Sequence, residues 1–278
     1  MTGNSLTHML LLRTAGGQCD LEPKRLLDVF ADQRRRLRAD LGSFGPEEWA
    51  APTRCPGWSA HDVVRHLCDV TRALTAGPGD RTYDMHAGFD PRTTPSRWLA
   101  ASAGESPAAT LDRLAATTDE ALVSARERLT RDDRFDVVLP YGPMDWTVQA
   151  LHVLWDSWLH ERDIFLALRA GRPADAEATG YASAYGLFIA AAVAHMFGDG
   201  VSERLVLGGD GGGVFELDTN DSVTLTVTRT ATDGPPAAAV TDALAGRGSA
   251  AVLDGLPDQA RTALTHLATF FTTEVDET

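Results

Sequence analysis

Between Leu151 and Leu166 the chain reads LHVLWDSWLHERDIFL, with His152, Asp156 and His160 recurring every four residues. In an α-helix four residues advance a little more than one turn and rise roughly 6 Å, so the three side chains share one face. Two of them can grip one ion. Trp155, Trp158, Leu159 and Phe165 fit an apolar core helix equally well, and on such a helix a lone histidine is ordinarily hydrogen-bonded filler. Asp156 weighs the other way, because a carboxylate on a buried face is costly unless it is paired or binds a metal. On spacing alone both readings stand, core helix and metal face.

A metal face needs a facing helix. Phe44 to Trp58, FGPEEWAAPTRCPGW, carries three prolines and two glycines and is expected to be a loop. Ser59 then reads as an N-cap with Asp62 as its capping-box acid, starting a helix from about Ala60 to about Ala76. His61 and His66 on it point about 140° apart, so only one can face the interior. His66, among Val63, Leu67 and Val70, is the better candidate, and His61 is expected in solvent. Leu21 to Leu41 and Ser96 to Leu129, the latter broken at Gly104 to Pro107, are also amphipathic at helical intervals. The Leu151 helix opens near Thr147 as its cap and runs to about Ala170, closed by Gly171 and Pro173.

Four amphipathic segments predict a four-helix bundle over residues 21–173, preceded by a loose arm, Met1 to Asp20. The long connection Gly77 to Pro95 holds Tyr83, Met85, His86 and Phe89 and has the character of a lid. Composition shifts after it. A helix at Asp175 to Gly198, short strands at Arg204 to Leu207, Val214 to Leu217 and Val223 to Thr228, and a last helix at Asp258 to Thr273 predict a second unit over 174–278. The fold class is therefore α+β, a bundle followed by a small α+β domain with an antiparallel sheet. The glycines from Gly208 to Gly213 join strand to strand with no GK[ST] after them, so they read as a hairpin turn and not a phosphate loop.

Charge and cysteines exclude whole classes. With 39 acidic against 25 basic residues and a net charge of −14, nucleic acid and anionic membranes are poor partners. No run approaches a membrane span, and Met9 to Leu12 is too short for a signal peptide's apolar region, so a cytoplasmic location is expected. Cys19, Cys55 and Cys68 show no CxxC spacing, which argues against a disulfide framework and a thiolate zinc site. Lys24 is the only lysine, a bias that a GC-rich bacterial genome would encode.

Taking His66 with Asp156 and His160 gives two imidazoles and one carboxylate, three protein donors with positions left open, as in catalytic metal sites. Bundles commonly build such sites from facing helices. The same donor set serves non-haem Fe(II) oxygenases, so it does not by itself exclude iron, and spacing leaves His152 as an alternative to His160.

The passages EEWAAPTRCPGWSAHDVVRHL and DSWLHERDI resemble the mycothiol-dependent maleylpyruvate isomerase family, within the wider DinB-like metalloprotein superfamily. The resemblance covers most of the chain and implies a DinB-like bundle followed by a domain similar to sterol-carrier proteins. It maps the family's metal ligands to His66, Asp156 and His160, favours zinc, and leaves His152 as core or supporting residue. The middle ligand is Glu in some relatives, so Asp156 is a shorter arm. The implied cofactors are Zn2+ and mycothiol as thiol cosubstrate, with a small-molecule electrophile as the other partner. Such enzymes hold a thiolate on the metal, where it can attack. The resemblance implies S-transfer to an electrophile, in the specialised metabolism of an actinobacterial host, with maleylpyruvate-type cis–trans isomerisation as the alternative. A non-catalytic protein binding metal and a small ligand is a third reading. The family's isomerases place a C-terminal arginine on the substrate carboxylates; Arg247, in LAGRG, is the nearest candidate, with Arg229 behind it.

Overall fold

The structure is a computed structural model that describes residues 10–14, 18–168, 175–230 and 233–272. In chain order its first helices are α1 (Pro23–Leu41), the short α2 (Pro46–Ala50), α3 (Ala60–Thr71), the short α4 (Thr94–Ala101), α5 (Pro107–Arg131) and α6 (Trp146–Ala167). Both α1 and α3 pack against α5 and α6, which makes the four long helices a bundle. The start of α3 is the reciprocal cap expected there: Ser59 Oγ accepts from the Asp62 amide at 3.2 Å, and the Asp62 carboxylate accepts from the Ser59 amide at 2.9 Å. At α6 the cap is Asp145, whose carboxylate accepts from the Thr147 amide at 2.9 Å. Thr147, expected as the cap, sits inside the first turn instead, because Asp145 places a stronger acceptor two residues earlier. Gly171 and Pro173, expected to close α6, lie outside the described residues.

The second architecture is a sheet covered by helices. Seven strands are described: β1 (Leu10–Arg13), β2 (Gln18–Asp20), β3 (Asp136–Leu139), β4 (Gly142–Asp145), β5 (Ser202–Leu207), β6 (Gly213–Asp218) and β7 (Thr224–Thr230). β3 and β4 form a hairpin leading into α6, and the other five form one antiparallel sheet in the order β2-β1-β7-β6-β5. Helices α7 (Ala176–Met196), α8 (Ala237–Leu244) and α9 (Asp258–Thr272) complete this unit. α7 packs on β6 and β7 on one side and on α6 on the other. The turn from β5 to β6 crowds α7: at Gly211, φ +72°, a Cβ would stand 2.5 Å from the Gly180 amide nitrogen. Only glycine fits there.

The N-terminal stretch corrects the expectation of a loose arm. β1 pairs with β7, Leu10 opposite Val227 and Leu12 opposite Leu225, and β2 pairs with β1. Leu10 and Leu12 alternate inward and are 2% and 0% exposed. Leu10 to Leu12, from the run read as too short for a signal peptide's apolar region, belong to a strand, whose period of two needs only two inward positions to bury a face. One apolar core runs without a break from Leu27 of α1 through Trp155 of α6 and Tyr185 of α7 to Leu225 and Leu264. A separate apolar cluster around Trp49, Val64, Leu67 and Phe165 lies where α2, α3 and the end of α6 meet. No helix among the described residues is long and apolar enough to cross a membrane.

Candidate metal centre and its cavity

The i, i+4 interval on α6 brings Asp156 and His160 side by side, and α3 supplies His66 across the bundle. Asp156 Oδ1 lies 3.5 Å from Nε2 of each imidazole. One donor atom from each of the three residues falls within 4.8 Å of the other two. The imidazoles meet edge to face with centroids 4.9 Å apart, and Trp58 of the CPGW loop covers both rings at 5.1 and 6.2 Å. The second oxygen, Asp156 Oδ2, is buried with no hydrogen-bond partner. Burial pushes the Asp156 carboxyl up, but the two imidazoles beside it outweigh that and hold it well below the usual carboxylate range. Burial likewise lowers His160, while Asp156, Cys55 and Asp163 raise it, and the net is well above an ordinary histidine.

A second ring of polar groups fixes His160 from behind. Its Nδ1 meets Asp163 Oδ2 at 3.0 Å. Since Asp163 is ionised, Nδ1–H donates and Nε2 is the ring atom turned towards Asp156 and His66, the arrangement in which a carboxylate orients a metal-binding histidine. Asp163 is wholly buried, yet it accepts from Arg247 Nε at 2.8 and 3.0 Å, from Arg54 Nε at 3.1 Å and from the Cys55 thiol at 3.0 Å. Burial raises its carboxyl, but the bond from His160 and the Arg247 guanidinium bring it well below the usual range. Arg54 continues to Asp242 at 3.0 and 3.2 Å, and Arg162 meets the same carboxylate, so α6, the CPGW loop and α8 share one ion-pair network.

Of the residues anticipated from sequence, His66, Asp156 and His160 therefore converge. Arg247 stands beside them, held by Asp163 and by the Ala245 carbonyl at 2.8 Å, with its remaining nitrogen 3.6 Å from Cys55 Sγ. Arg229 lies on β7 opposite Val214, and its side chain is outside the described residues. His61 is not in open solvent as expected; it is half-buried, 2.8 Å from Thr110 Oγ1 and edge-on to Trp49. His152 is not one of the converging donors. Its Nδ1 is 2.9 Å from Tyr185 Oη, which is 2.8 Å from Tyr141 Oη. Asp163, Cys55, Arg54 and Trp58 were not anticipated as site residues. Only Asp163, three residues after His160 on the same helix, carried a signal in its spacing.

The three donors open onto a cavity of about 660 Å³. Its walls come from the CPGW loop, the connection carrying Tyr83 and Phe89, the β3–β4 turn, the end of α7 and the segment Ala245 to Arg247. His152 and Tyr141 both line it.

Residues 30–165 match the family model described as the mycothiol maleylpyruvate isomerase N-terminal domain. A crystal structure of mycothiol-dependent maleylpyruvate isomerase aligns with a TM-score of 0.56 at 16% identity, covering 83% of this chain and 91% of that one. A crystal structure of a histidine-to-alanine mutant of such an isomerase aligns with a TM-score of 0.54 at 16% identity, covering 85% and 92%. At that identity the likeness is one of fold. Comparison with curated proteins gave no match.

Proposed function

We propose, from the match of residues 30–165 to the mycothiol maleylpyruvate isomerase N-terminal domain, that the protein is a metal-dependent enzyme using mycothiol on an electrophilic double bond. The observation that carries the proposal is the convergence of His66, Asp156 and His160 at a cavity, with a buried carboxylate oxygen lacking any partner. An orphaned oxygen of that kind costs about 1–3 kcal/mol or more, and a cation beside it removes the cost. His66 and His160 through Nε2, with the Asp156 carboxylate, fit zinc, three donors leaving room for a further ligand. Zinc held there supplies one thing, a coordinated thiol that is deprotonated at neutral pH.

The protein's own groups do the rest. Asp163 keeps His160 in the tautomer that presents Nε2, and Arg54 and Arg247 hold Asp163 ionised. Trp58 shields the imidazoles from water on the loop side. In the reaction, a C–S bond forms at the β-carbon of a conjugated carbonyl compound and the π pair moves to the carbonyl oxygen. The former double bond is then single and rotates; return of the electron pair expels the thiolate and leaves the other geometric isomer. No net proton is consumed. The family supports this isomerising outcome. S-transfer is the second reading, favoured by His152: it lines the cavity in a hydrogen-bonded row with Tyr185 and Tyr141 and can return the thiol's proton to the α-carbon, so that the thioether is retained.

The test uses the full-length metal-loaded protein, mycothiol and a cis-configured conjugated keto acid, with products followed by proton NMR and mass spectrometry. Isomer without conjugate supports isomerisation, and a stable adduct supports S-transfer. Turnover that persists without thiol, or after complete metal removal, overturns the proposal.

A further inference from the structure

Five large apolar side chains are exposed among the described residues, and three of them, Met85, Met196 and Phe197, line the cavity at 40%, 55% and 64% exposure. Single exposed apolar residues need no explanation, but their concentration on one concave site does. Deeper in the same wall Tyr83, Phe89 and Trp98 form an aromatic cluster with centroids 5.1 to 6.3 Å apart. The cationic side chains of the lining are already engaged. Arg54 and Arg247 are held by Asp163 and Asp242, and Arg92 meets Asp90 at 3.3 Å. A small dicarboxylate entering here would have to compete with buried Asp163 and Asp242 for Arg54 and Arg247, and breaking such pairs is costly.

Resting on the reading that the cavity holds a thiol-accepting electrophile, we propose that this electrophile is an aryl-bearing conjugated carbonyl compound and not a small dicarboxylate. A volume of about 660 Å³ accommodates an aromatic ring system beside the thiol. Met85 and Met196 give the mouth an adaptable apolar lip. The aromatic cluster offers edge and face contacts to an aryl group. The Tyr141 hydroxyl and His152 supply polar partners for one carbonyl and no surplus charge for two carboxylates. The bond changes are those already described for thiol addition.

Unreactive analogues separate binding from chemistry. Titrated calorimetrically into full-length zinc-loaded protein, 4-phenylbutan-2-one is expected to bind at least about tenfold more tightly than succinate, since burying one phenyl ring exceeds the ~1.4 kcal/mol that tenfold represents. Trp98→Ala, and separately the surface change Phe197→Ser, are expected to weaken the ketone severalfold and leave succinate and metal content unchanged. Tighter binding of succinate, or binding of neither compound, overturns the inference. Turnover is then measured with mycothiol and the reactive pair 4-phenylbut-3-en-2-one and maleate, each rate divided by its uncatalysed rate. Preference for the aryl enone supports the inference. Ketone binding without any thiol-dependent turnover leaves it standing and removes the thiol reading. Thiol-dependent turnover that prefers maleate overturns it and keeps the thiol reading.

Discussion

His160 is engaged at both ring nitrogens, Nδ1 by Asp163 at 3.0 Å and Nε2 opposite Asp156 at 3.5 Å. The two engagements make different predictions. His160→Ala removes a ligand and is expected to abolish stoichiometric zinc, whereas Asp163→Asn removes the group that orients it and is expected to weaken zinc by about 10–100-fold. His152→Ala should retain the metal. Chelator competition measures all three, and equal loss in His160→Ala and His152→Ala would mean that the wrong histidine has been assigned. A pH dependence follows from the same ring. Burial lowers His160, but Asp156, Cys55 and Asp163 outweigh it and, without metal, raise it well above an ordinary histidine. Its pairing with Asp156 contributes stability that is fully present below the unfolded value and is lost as pH rises through the folded one. Zinc competes with protons for this raised imidazole, so uptake should release protons and apparent affinity should rise with pH. Calorimetry in two buffers of different ionisation enthalpy reads this directly, and zinc uptake without proton release would contradict it. The convergence of His66, Asp156 and His160 was partly legible in the sequence: helical spacing and the Ser59 cap are local properties that put candidate donors on facing helices, while the choice of His160 over His152 came from the family resemblance. Cys55, Arg54 and Arg247 were legible only as residues, since their roles depend on segments that meet from opposite ends of the chain.

At the scale of elements, the strand order β2-β1-β7-β6-β5 makes the first two described strands part of the C-terminal sheet, β2 at its edge and β1 between β2 and β7. Periodicity found the long helices and the β5–β6 hairpin, whose signals lie within one segment. It missed β1, because four residues give too little alternation to distinguish a strand from a tail until β7 offers an edge. The difference is measurable. Leu12 is fully buried opposite Leu225, so Leu12→Ala should cost about 2–5 kcal/mol in denaturant unfolding. A loose arm would give a change near zero. The β3–β4 hairpin has a further role, since its turn carries Tyr141 into the cavity while its last residue caps α6. One element thus sets both the helix bearing Asp156 and His160 and a wall of the space they face.

For the whole molecule, the change of architecture after α6 is not a break in packing. A single apolar core crosses it, and the network joining Arg54, Arg162, Asp163, Asp242 and Arg247 ties the two units around the proposed metal centre. The full-length protein should therefore unfold in one cooperative transition, with near-UV and far-UV signals coincident. Two separated transitions would show that the units are energetically independent. The shared core also explains why the cavity is built from both: the bundle supplies the donors, and α7 with the Ala245 to Arg247 segment supplies the opposite wall. Everything proposed for the cavity depends on His66, Asp156 and His160 holding a zinc ion that accepts the thiol. Zinc-edge X-ray absorption on the full-length protein tests it most directly. Nitrogen and oxygen scatterers alone, with two imidazoles, are expected in the resting protein, and a new sulfur scatterer at about 2.3 Å when mycothiol is added. A zinc spectrum that mycothiol leaves unchanged, or sulfur already bound in its absence, would contradict it.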